Sequence, residues 1–436
     1  MAKKKILYIS GSLGLGHVTR DLAIAAQLRK QCPQVELSWL ASHPATLLLA
    51  EAGENLLPEA EQYANDNIHA ENAAKGFGLN VLKYASKARA HCAHNVEIFK
   101  RAVARGEFDL VVGDEAYEIE LALQNKQVLL QAPYVMIHDF VGLDSMSNNP
   151  LEKLGTYVLN LGWAQSRKLL STGENVALFV GEPQDIPDRS FGFLLPNRRD
   201  WAKAHYEFIG YILPFNPAEY ADRARIRARL GYGKEPLIVC SIGGTSIGKD
   251  LLELCGQAYA IVKQKVPDLR MVLVCGPRLS VGSLELPEAV EIRGYVPALY
   301  EHFAACDLAI VQAGGTTTLE LTALRRPFLY FPLANHCEQQ IHVAGRLARH
   351  GAGVRMSYYQ TTPAKLAEKI ISNLGKEVTY ATIPTGGAQK AAKLISALLS
   401  GNQPFRLSGN QATGIQDIRV SGQQVAGHQG NRQSGN

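Results

Sequence analysis

A histidine directly follows a glycine-rich turn near the start of the chain, in the stretch ISGSLGLGHVTRDLAIA from Ile9 to Ala25. The apolar run before the turn is typical of a strand, and the run after it is typical of a helix. Glycine lets a ligand approach the backbone, and a helix N-terminus favours the neutral imidazole that a general base needs. We therefore predict that His17 is a base and that Gly14 and Gly16 let a ligand approach it. The alternative is a histidine that only satisfies the turn.

A second glycine turn, SIGGTSIGKD, begins at Ser241 after another strand-like run. Backbone N–H groups and hydroxyls at such a turn can donate hydrogen bonds to a phosphate. The alternative is an ordinary strand-to-helix connection. The candidate phosphate-binding residues are Gly243, Gly244, Thr245 and Ser246.

A third region, QAGGTTTLELTALRRPFLYFPLANHCEQQ, carries several polar groups at element ends. A strand ends and a helix opens at Gly314, Gly315 and Thr316. One helical turn further on, the carboxylate of Glu320 could accept hydrogen bonds from both hydroxyls of a ribose. The paired amides of Gln339 and Gln340 offer donors and acceptors that suit sugar hydroxyls.

Short β-branched runs alternate with helical patterns twice along the chain, which is typical of parallel sheets covered by helices on both faces. We therefore expect an α/β protein with two Rossmann-like, doubly wound domains that face each other across a ligand-binding cleft. Two prolines in YILPFNPAEY mark the linker. The predicted division is a first domain at 1–210, a linker at 211–222, a second domain at 223–400 whose last helix can pack back on the first, and a tail at 401–436. The tail is rich in Gly, Gln, Asn and Ser, so we expect it to be disordered.

The composition narrows the class of protein. The 436 residues are 46% hydrophobic and 19% charged, with no apolar run long enough to span a membrane and no signal-peptide pattern. Seven scattered cysteines without a CxxC pair are typical of a reducing cytoplasm rather than of disulfides or a zinc site. A net charge of +5 suits an anionic ligand or an anionic membrane surface, but it is too mild to indicate nucleic acid.

These motifs together resemble those of the GT-B glycosyltransferases. The chain is similar to the lipid-linked N-acetylglucosaminyltransferases of peptidoglycan synthesis and to the galactolipid synthases, a group like glycosyltransferase family 28. The resemblance covers roughly residues 5–400. It implies that the second domain binds a UDP-sugar donor and that the first binds an acceptor, either a small molecule or a lipid-linked one. It also implies a cytoplasmic protein that can sit on the inner face of the membrane.

The resemblance also implies roles for single residues. His17 matches the catalytic base, and Asp114, which ends DLVVGD, resembles the aspartate that orients it. Val296 in GYVPAL matches the backbone contact to uracil, and Glu320 matches the ribose carboxylate. The other matches are Thr245 to a phosphate, Gly315 and Thr316 to the pyrophosphate turn, and Gln339 and Gln340 to the donor sugar. The resemblance also puts Gly14 and Gly16 on the acceptor side, with His138 and Asp139 in an acceptor-side loop.

The implied reaction is an inverting transfer without metal or cofactor. The sequence holds no DxD, HExxH or clustered His/Cys spacing, so backbone N–H groups, helix N-termini, Thr245 and Arg278 would assist the departure of UDP. The acceptor hydroxyl would lose its proton to His17 and attack the anomeric carbon of a hexose or N-acetylhexosamine.

Three alternatives stay open. The stretch GHVTR also resembles UDP-sugar hydrolases, and GSLGLGH departs from the tighter GGxGGH of the peptidoglycan enzymes, so a UDP-sugar hydrolase or 2-epimerase is the second interpretation. A nicotinamide dehydrogenase is disfavoured because the glycine spacing is GxxGxG instead of GxGxxG. A sugar-nucleotide sensor would bind UDP without turnover.

Overall fold

The structure is a computed structural model that describes residues 3–11, 15–64, 74–75, 78–79, 81–166, 175–287 and 290–401, with only the backbone between 74 and 90. Gly14 and all but the first residue of the predicted tail lie outside these described residues. Two separate parallel sheets, each covered by helices, form the framework of residues 4–355. This is the doubly wound α/β class that the alternating pattern predicts.

The first sheet has seven parallel strands, and its buried apolar runs explain why these segments pair on both edges. The strands are β1 Lys4–Ile9, β2 Val35–Leu40, β3 Asn55–Leu56, β6 Leu110–Asp114, β7 Tyr134–His138, β8 Val176–Val180 and β9 Tyr206–Gly210, and a separate antiparallel pair is formed by β4 Ala74–Lys75 and β5 Gly78–Leu79. Their order in the sheet is β3-β2-β1-β6-β7-β8-β9. Ile9 pairs with Gly113, and Asp114 pairs with Ile137, so the carboxyl ends of three central strands meet at one edge.

The second sheet has six parallel strands with the same kind of buried pattern. They are β10 Leu237–Ser241, β11 Arg270–Val274, β12 Glu291–Arg293, β13 Leu308–Gln312, β14 Phe328–Phe331 and β15 Val354–Arg355. The order β12-β11-β10-β13-β14-β15 puts β10 and β13 side by side at the centre. The glycine turns that follow these two strands are therefore neighbours.

Helices connect the strands of both sheets. Those of the first half are Gly16–Gln31, Ala45–Glu51, Val81–Arg105, Tyr117–Gln124, Pro150–Gln165 and Arg198–His205. Those of the second half are Arg223–Arg229, Lys249–Lys263, Leu299–Ala305, Gly315–Ala323, Ala344–His350, Pro363–Asn373 and Gly387–Leu399, with a π-helical turn at Glu338–Val343. None of the helices in the described ranges is long and apolar enough to cross a bilayer.

The last helix, Gly387–Leu399, buries its apolar face in the core of the first sheet, beside the helix Gly16–Gln31. The two segments that connect the sheets also pair with each other. The Tyr211 N–H donates to the Pro384 carbonyl at 2.8 Å, and the Gly387 N–H donates to the Tyr211 carbonyl at 3.0 Å. A Cβ on Gly387 would lie 2.7 Å from that same Tyr211 oxygen, so the close approach requires glycine. The domain boundaries that we inferred from the sequence stay predictions.

Candidate active site between the two sheets

His17 is the second residue of the helix that follows β1, and Gly11 is what allows its ring to lie where it does. A Cβ built on Gly11 would lie 2.8 Å from the His17 ring and 3.0 Å from the Asp114 carbonyl oxygen. The turn therefore holds the imidazole tightly against the end of β6. The His17 side chain is 16% exposed, so one edge of the ring stays open.

Asp114 and Arg20 both lie against the inner nitrogen of His17. His17 Nδ1 is 3.3 Å from Asp114 Oδ1 and 2.9 Å from Arg20 Nη2. Arg20 also donates from Nε and Nη2 to the two carboxylate oxygens of Asp114, at 2.6 and 2.5 Å. The bidentate pair fixes the aspartate, and the aspartate in turn lies beside the histidine. The structure thus brings together His17 and Asp114, which are 97 residues apart in the chain.

The charge of Arg20 controls the carboxyl groups around it. Burial alone would raise the pKa of Asp114, but Arg20 and then His17 outweigh it and hold that pKa below its usual range. Asp139, which accepts from Arg20 Nη1 at 2.6 Å, also has a lowered pKa because Arg20 outweighs its burial. In contrast, burial and the negative charge of Asp139 raise the pKa of Glu115 well above its usual value. The cluster thus favours the charged forms of Asp114 and Asp139 and the neutral form of Glu115.

His138 ends β7 but points into the interior. Its Nδ1 lies 2.7 Å from the hydroxyl of Tyr206, and its Nε2 lies 3.0 Å from the carboxylate of Glu120. The ring is 3% exposed and stacks on Tyr117 with centroids 5.1 Å apart. Both nitrogens are therefore occupied within the first domain, whereas the neighbouring Asp139 is the residue of this pair that lies in the cluster around Arg20.

The second glycine turn has the backbone that the sequence pattern requires. Gly243 and Gly248 have φ values of 81° and 112°, and the helix Lys249–Lys263 begins directly after the turn. A Cβ on Gly276, at the end of the neighbouring strand, would collide with the carbonyl of Gly243. Among the other predicted donor contacts of this region, Gly244 is buried, and the rest are partly buried: Thr245, Ser246, Arg278 and Val296.

The third glycine turn meets the first. Gly314 precedes the helix Gly315–Ala323, whose N-terminus approaches that of the helix Gly16–Gln31. A Cβ on Gly16 would lie 2.6 Å from Thr316 Oγ1. A Cβ on Gly315 would lie 3.7 Å from Glu338 Oε1 and 3.8 Å from Asp139 Oδ2. The helix N-terminus of the second sheet, which is suited to an anion, therefore faces the histidine cluster of the first.

Two carboxyl groups of the second half have a raised pKa. Glu320 is 7% exposed, and burial raises its pKa to about 8. Burial, together with the negative charge of Asp139, raises the pKa of Glu338 to about 7. A ligand that offers hydroxyl groups to Glu320 would favour its ionised form, because hydrogen bonds to a carboxylate stabilise the charge.

The paired glutamines are both engaged within their own loop. Gln339 Oε1 accepts from the Leu333 N–H at 2.9 Å. Gln340 Nε2 donates to the carbonyls of Pro332 and Leu333, and its Oε1 accepts from Arg355. The side chains thus close the loop onto the end of β14, and their proposed contact with the donor sugar stays a prediction.

Residues 238–399 match the profile of the glycosyltransferase family 28 C-terminal domain. This part of the chain is therefore similar to family 28. The resemblance that its motifs indicate is thereby confirmed, and the matched residues include the second and third glycine turns together with Glu320.

Curated relatives support the same family. The chain is 32% identical over 139 residues, 31% of its length and 37% of the relative, to the UDP-N-acetylglucosamine–N-acetylmuramyl-(pentapeptide) pyrophosphoryl-undecaprenol N-acetylglucosamine transferase of Carboxydothermus hydrogenoformans. It is 22% identical over 381 residues, 85% of the chain and 81% of the relative, to the transferase of the same name from Clostridioides difficile. The chain spans 36% to 54% of the length of the first curated relatives that it matches.

A solved structure shows the fold. The glycosyltransferase of kitacinnamycin superposes with a TM-score of 0.57 at 18% identity, over 92% of this chain and 100% of that one. The chain therefore has the GT-B architecture, which confirms the predicted fold class.

Sequence reasoning missed four charged residues of the family 28-like site: Arg20, Glu115, Glu338 and Arg346. Arg20 follows His17 by three residues, a spacing that places both on one helix face, and this is the one signal that could have found it. Arg346 is 5% exposed and donates to the Gly315 carbonyl at 3.1 Å, which ties its helix to the third glycine turn. Nothing in the local sequence around Glu115, Glu338 or Arg346 predicts these contacts between distant elements.

One trio of side chains in the described residues could hold a metal ion: Asp144, Cys337 and His342, whose ligand atoms lie within 4.8 Å of one another. Asp144 already pairs with Arg198 at 2.8 Å and with Arg189 at 2.5 Å. Two guanidinium groups neutralise this carboxylate, so the local field does not favour a divalent cation. The expectation of a reaction without a metal stays a prediction.

Proposed function

We propose that the protein is an inverting glycosyltransferase that moves a hexose or N-acetylhexosamine from a UDP-sugar to a hydroxyl of an acceptor. The observation that carries this proposal is the juxtaposition of Gly16 and Thr316, so close that a Cβ on the glycine would lie 2.6 Å from the threonine hydroxyl. It puts the histidine turn of one sheet against an anion-binding helix N-terminus of the other. The sugar on the diphosphate can be transferred directly to a hydroxyl beside the base only if the two sites are neighbours.

His17 would act as the base, with Asp114 as its orienting group. An acceptor hydroxyl on the open edge of the ring would give its proton to Nε2 while its oxygen attacks the anomeric carbon. The bond from that carbon to the UDP oxygen breaks in the same step, and inversion follows from attack opposite the leaving group. A general base of this kind contributes about 10²–10⁴ in rate.

The second half would bind the donor and stabilise the leaving UDP. The turns at Gly243 and Gly315 offer backbone N–H groups, and the helices that follow them favour negative charge at their N-termini. Thr245, Thr316 and Arg278 would add side-chain donors to the diphosphate. The carboxyl of Glu320 would receive the ribose hydroxyls, and no metal is needed in this scheme.

A lipid-linked acceptor at the inner face of the membrane fits the surface of the first half. The helix Pro150–Gln165 exposes a row of large apolar side chains that is continued by a neighbouring loop. Their exposed fractions are Leu151 69%, Leu154 61%, Val158 57%, Leu159 58%, Phe193 79% and Leu194 87%. Tyr157 joins the two segments, because its hydroxyl donates to the Phe193 carbonyl at 3.2 Å. Apolar clusters of this size on a surface are typical of membrane or protein contacts.

The decisive experiment measures UDP release from a panel of UDP-sugars, with and without a mixed acceptor extract that contains lipids. Release that requires the extract supports a transferase, and fractionation would then identify the acceptor. Equal release without the extract would instead indicate a hydrolase or an epimerase. UDP binding with no release from any donor would indicate a sensor.

A further inference from the structure

Glu115 has an unusual backbone for its residue type. It follows the last residue of β6 with φ = 50°, in the left-handed region that L-residues other than Gly, Asn and Asp seldom adopt. Such a conformation costs free energy, and it persists where the surrounding structure imposes it. The Glu115 N–H donates to the Ile137 carbonyl at 3.0 Å, which continues the pairing of β6 with β7 and holds this backbone in place.

The side chain of Glu115 also carries an unsatisfied atom. Its Oε1 is buried and has no hydrogen-bond partner among the described residues, which is a cost that folded proteins usually avoid. The nearest charged donor, Arg20 Nη2, is 3.7 Å away and is already committed to Asp114. The strained backbone and the unsatisfied oxygen thus occur in the same residue.

The carboxyl of Glu115 faces the open edge of His17. Glu115 Oε2 lies 3.8 Å from His17 Nε2, and the two side chains are 12% and 16% exposed. Two polar atoms at this separation are too far apart to satisfy each other, but they are close enough to contact two neighbouring hydroxyls of one ligand.

The protonation of Glu115 suits this contact. Burial, and then the negative charge of Asp139, raise the pKa of Glu115 and so favour its neutral carboxyl. Oε2, the oxygen on the His17 side, can accept a hydrogen bond from a ligand hydroxyl, whereas the buried Oε1 cannot be reached.

We propose that Glu115 binds a second hydroxyl of the acceptor, adjacent to the one that His17 deprotonates, so that the enzyme selects acceptors with a vicinal diol, such as a pyranose ring. The proposal rests on the proposed function, since it assumes that the acceptor lies at His17. A simple alcohol would contact only one of the two groups, His17 or Glu115.

The test compares octyl glucoside with its singly deoxygenated analogues. Calorimetry measures their binding to the UDP-bound protein, and UDP release from a UDP-sugar measures their use as acceptors. We expect the wild-type protein to prefer the parent glycoside over one or more deoxy analogues by about tenfold, the order of one hydrogen bond to a buried group. Glu115→Asn tolerates the left-handed backbone but withdraws the polar group by one methylene, so it should reduce that preference to near unity. Glu115→Gln keeps an accepting oxygen at full reach and should retain part of it.

The preference ratio separates this proposal from a loss of folding, because misfolded protein lowers both affinities equally. Glu97→Gln, an exposed change, is the matched control and should leave the ratio unchanged. A ratio that persists in Glu115→Asn, or a wild-type protein that binds none of these glycosides, would overturn the proposal. A failure of the proposed transferase function is distinguishable from a failure of this proposal. If no UDP-sugar is turned over, the ratio of affinities from calorimetry still tests Glu115.

Discussion

Gly16 and Thr316 lie in contact across the two sheets, so close that a methyl group on Gly16 would be 2.6 Å from Thr316 Oγ1. Each residue lies in the first turn of its helix. Gly16 directly precedes His17, and Thr316 follows the third glycine turn. The absence of a side chain at Gly16 therefore allows the proposed base and the proposed diphosphate site to lie next to each other.

We expect Gly16→Ala to lower kcat/KM for the donor by about tenfold, roughly 1.4 kcal/mol. The added methyl group would turn the Thr316 hydroxyl away or separate the two helix ends. The measurement is steady-state kinetics with a melting curve. Gly345→Ala is the control, because nothing lies within 4 Å of a Cβ at that helical position. Equal kinetics for the two variants would contradict the role of the contact.

We expect His17→Ala to lower kcat by about 10²–10⁴ and to leave the affinity for UDP unchanged, because a base acts on the acceptor hydroxyl and not on the nucleotide. Single-turnover rates and UDP titration measure the two quantities. His94→Ala, an exposed histidine that contacts the Gln62 carbonyl, is the matched control. Turnover that survives within a few-fold would mean that His17 only completes its turn.

Glu320 should make the stability of the ligand-free protein depend on pH. Its pKa is about 8 in the folded state, whereas an unfolded glutamate titrates at about 4.3. Between these values the folded protein holds a proton that the unfolded chain releases, so the free energy of unfolding falls as pH rises, by at most about 1.4 kcal/mol per pH unit. Glu320→Gln removes this dependence, and denaturant unfolding at about pH 5 and about pH 8 measures the difference.

The comparison of Glu320→Gln with wild type isolates this group from Glu338, which titrates in an overlapping range. Parallel stability curves for the two proteins would contradict the assignment.

Glu320→Ala should weaken UDP binding by roughly 1.5–3 kcal/mol, the range for a hydrogen bond to a charged group. Calorimetric titration with UDP and with free phosphate measures the effect. Only UDP affinity should change, because phosphate carries no ribose. An unchanged UDP affinity would refute the ribose contact.

The apolar helix face predicts membrane binding. Leu154→Glu with Val158→Glu should reduce co-sedimentation with phosphatidylglycerol vesicles several-fold, because each change puts a charge into the interface. Activity toward a water-soluble acceptor should persist, since neither residue belongs to the histidine cluster. Glu97→Gln again serves as the control, and equal sedimentation of all variants would argue against this surface.

The sequence predicts the fold well because its alternation of apolar strands and helices is repeated twice, and the strand ends carry glycines. The resemblance implies in addition that Asp114 lies beside His17, and the structure shows them at the neighbouring carboxyl ends of β1 and β6. That inference needs the resemblance to a family, because the order of strands does not follow from local pattern.

Contacts that join distant elements escape such reasoning. An arginine at the Arg20 position has the pattern of a solvated helix face, yet Arg20 is buried and contacts three side chains: His17, Asp114 and Asp139. Gln340 has the spacing of a sugar contact, but Arg355 from the following strand occupies its oxygen. The backbone of Glu115 depends on how β6 and β7 pair beyond their ends, which no neighbouring residue type specifies.

The pairing of Tyr211 with Pro384 and Gly387 has a topological consequence. The last helix returns to the first sheet, so the polypeptide passes between the two halves twice. The two connecting segments are hydrogen-bonded to each other. A single tether would permit rotation in any direction, whereas a doubled one resists torsion and leaves bending about one axis as the easy motion. Any movement of the histidine turn relative to the third glycine turn would therefore be bending at these paired segments.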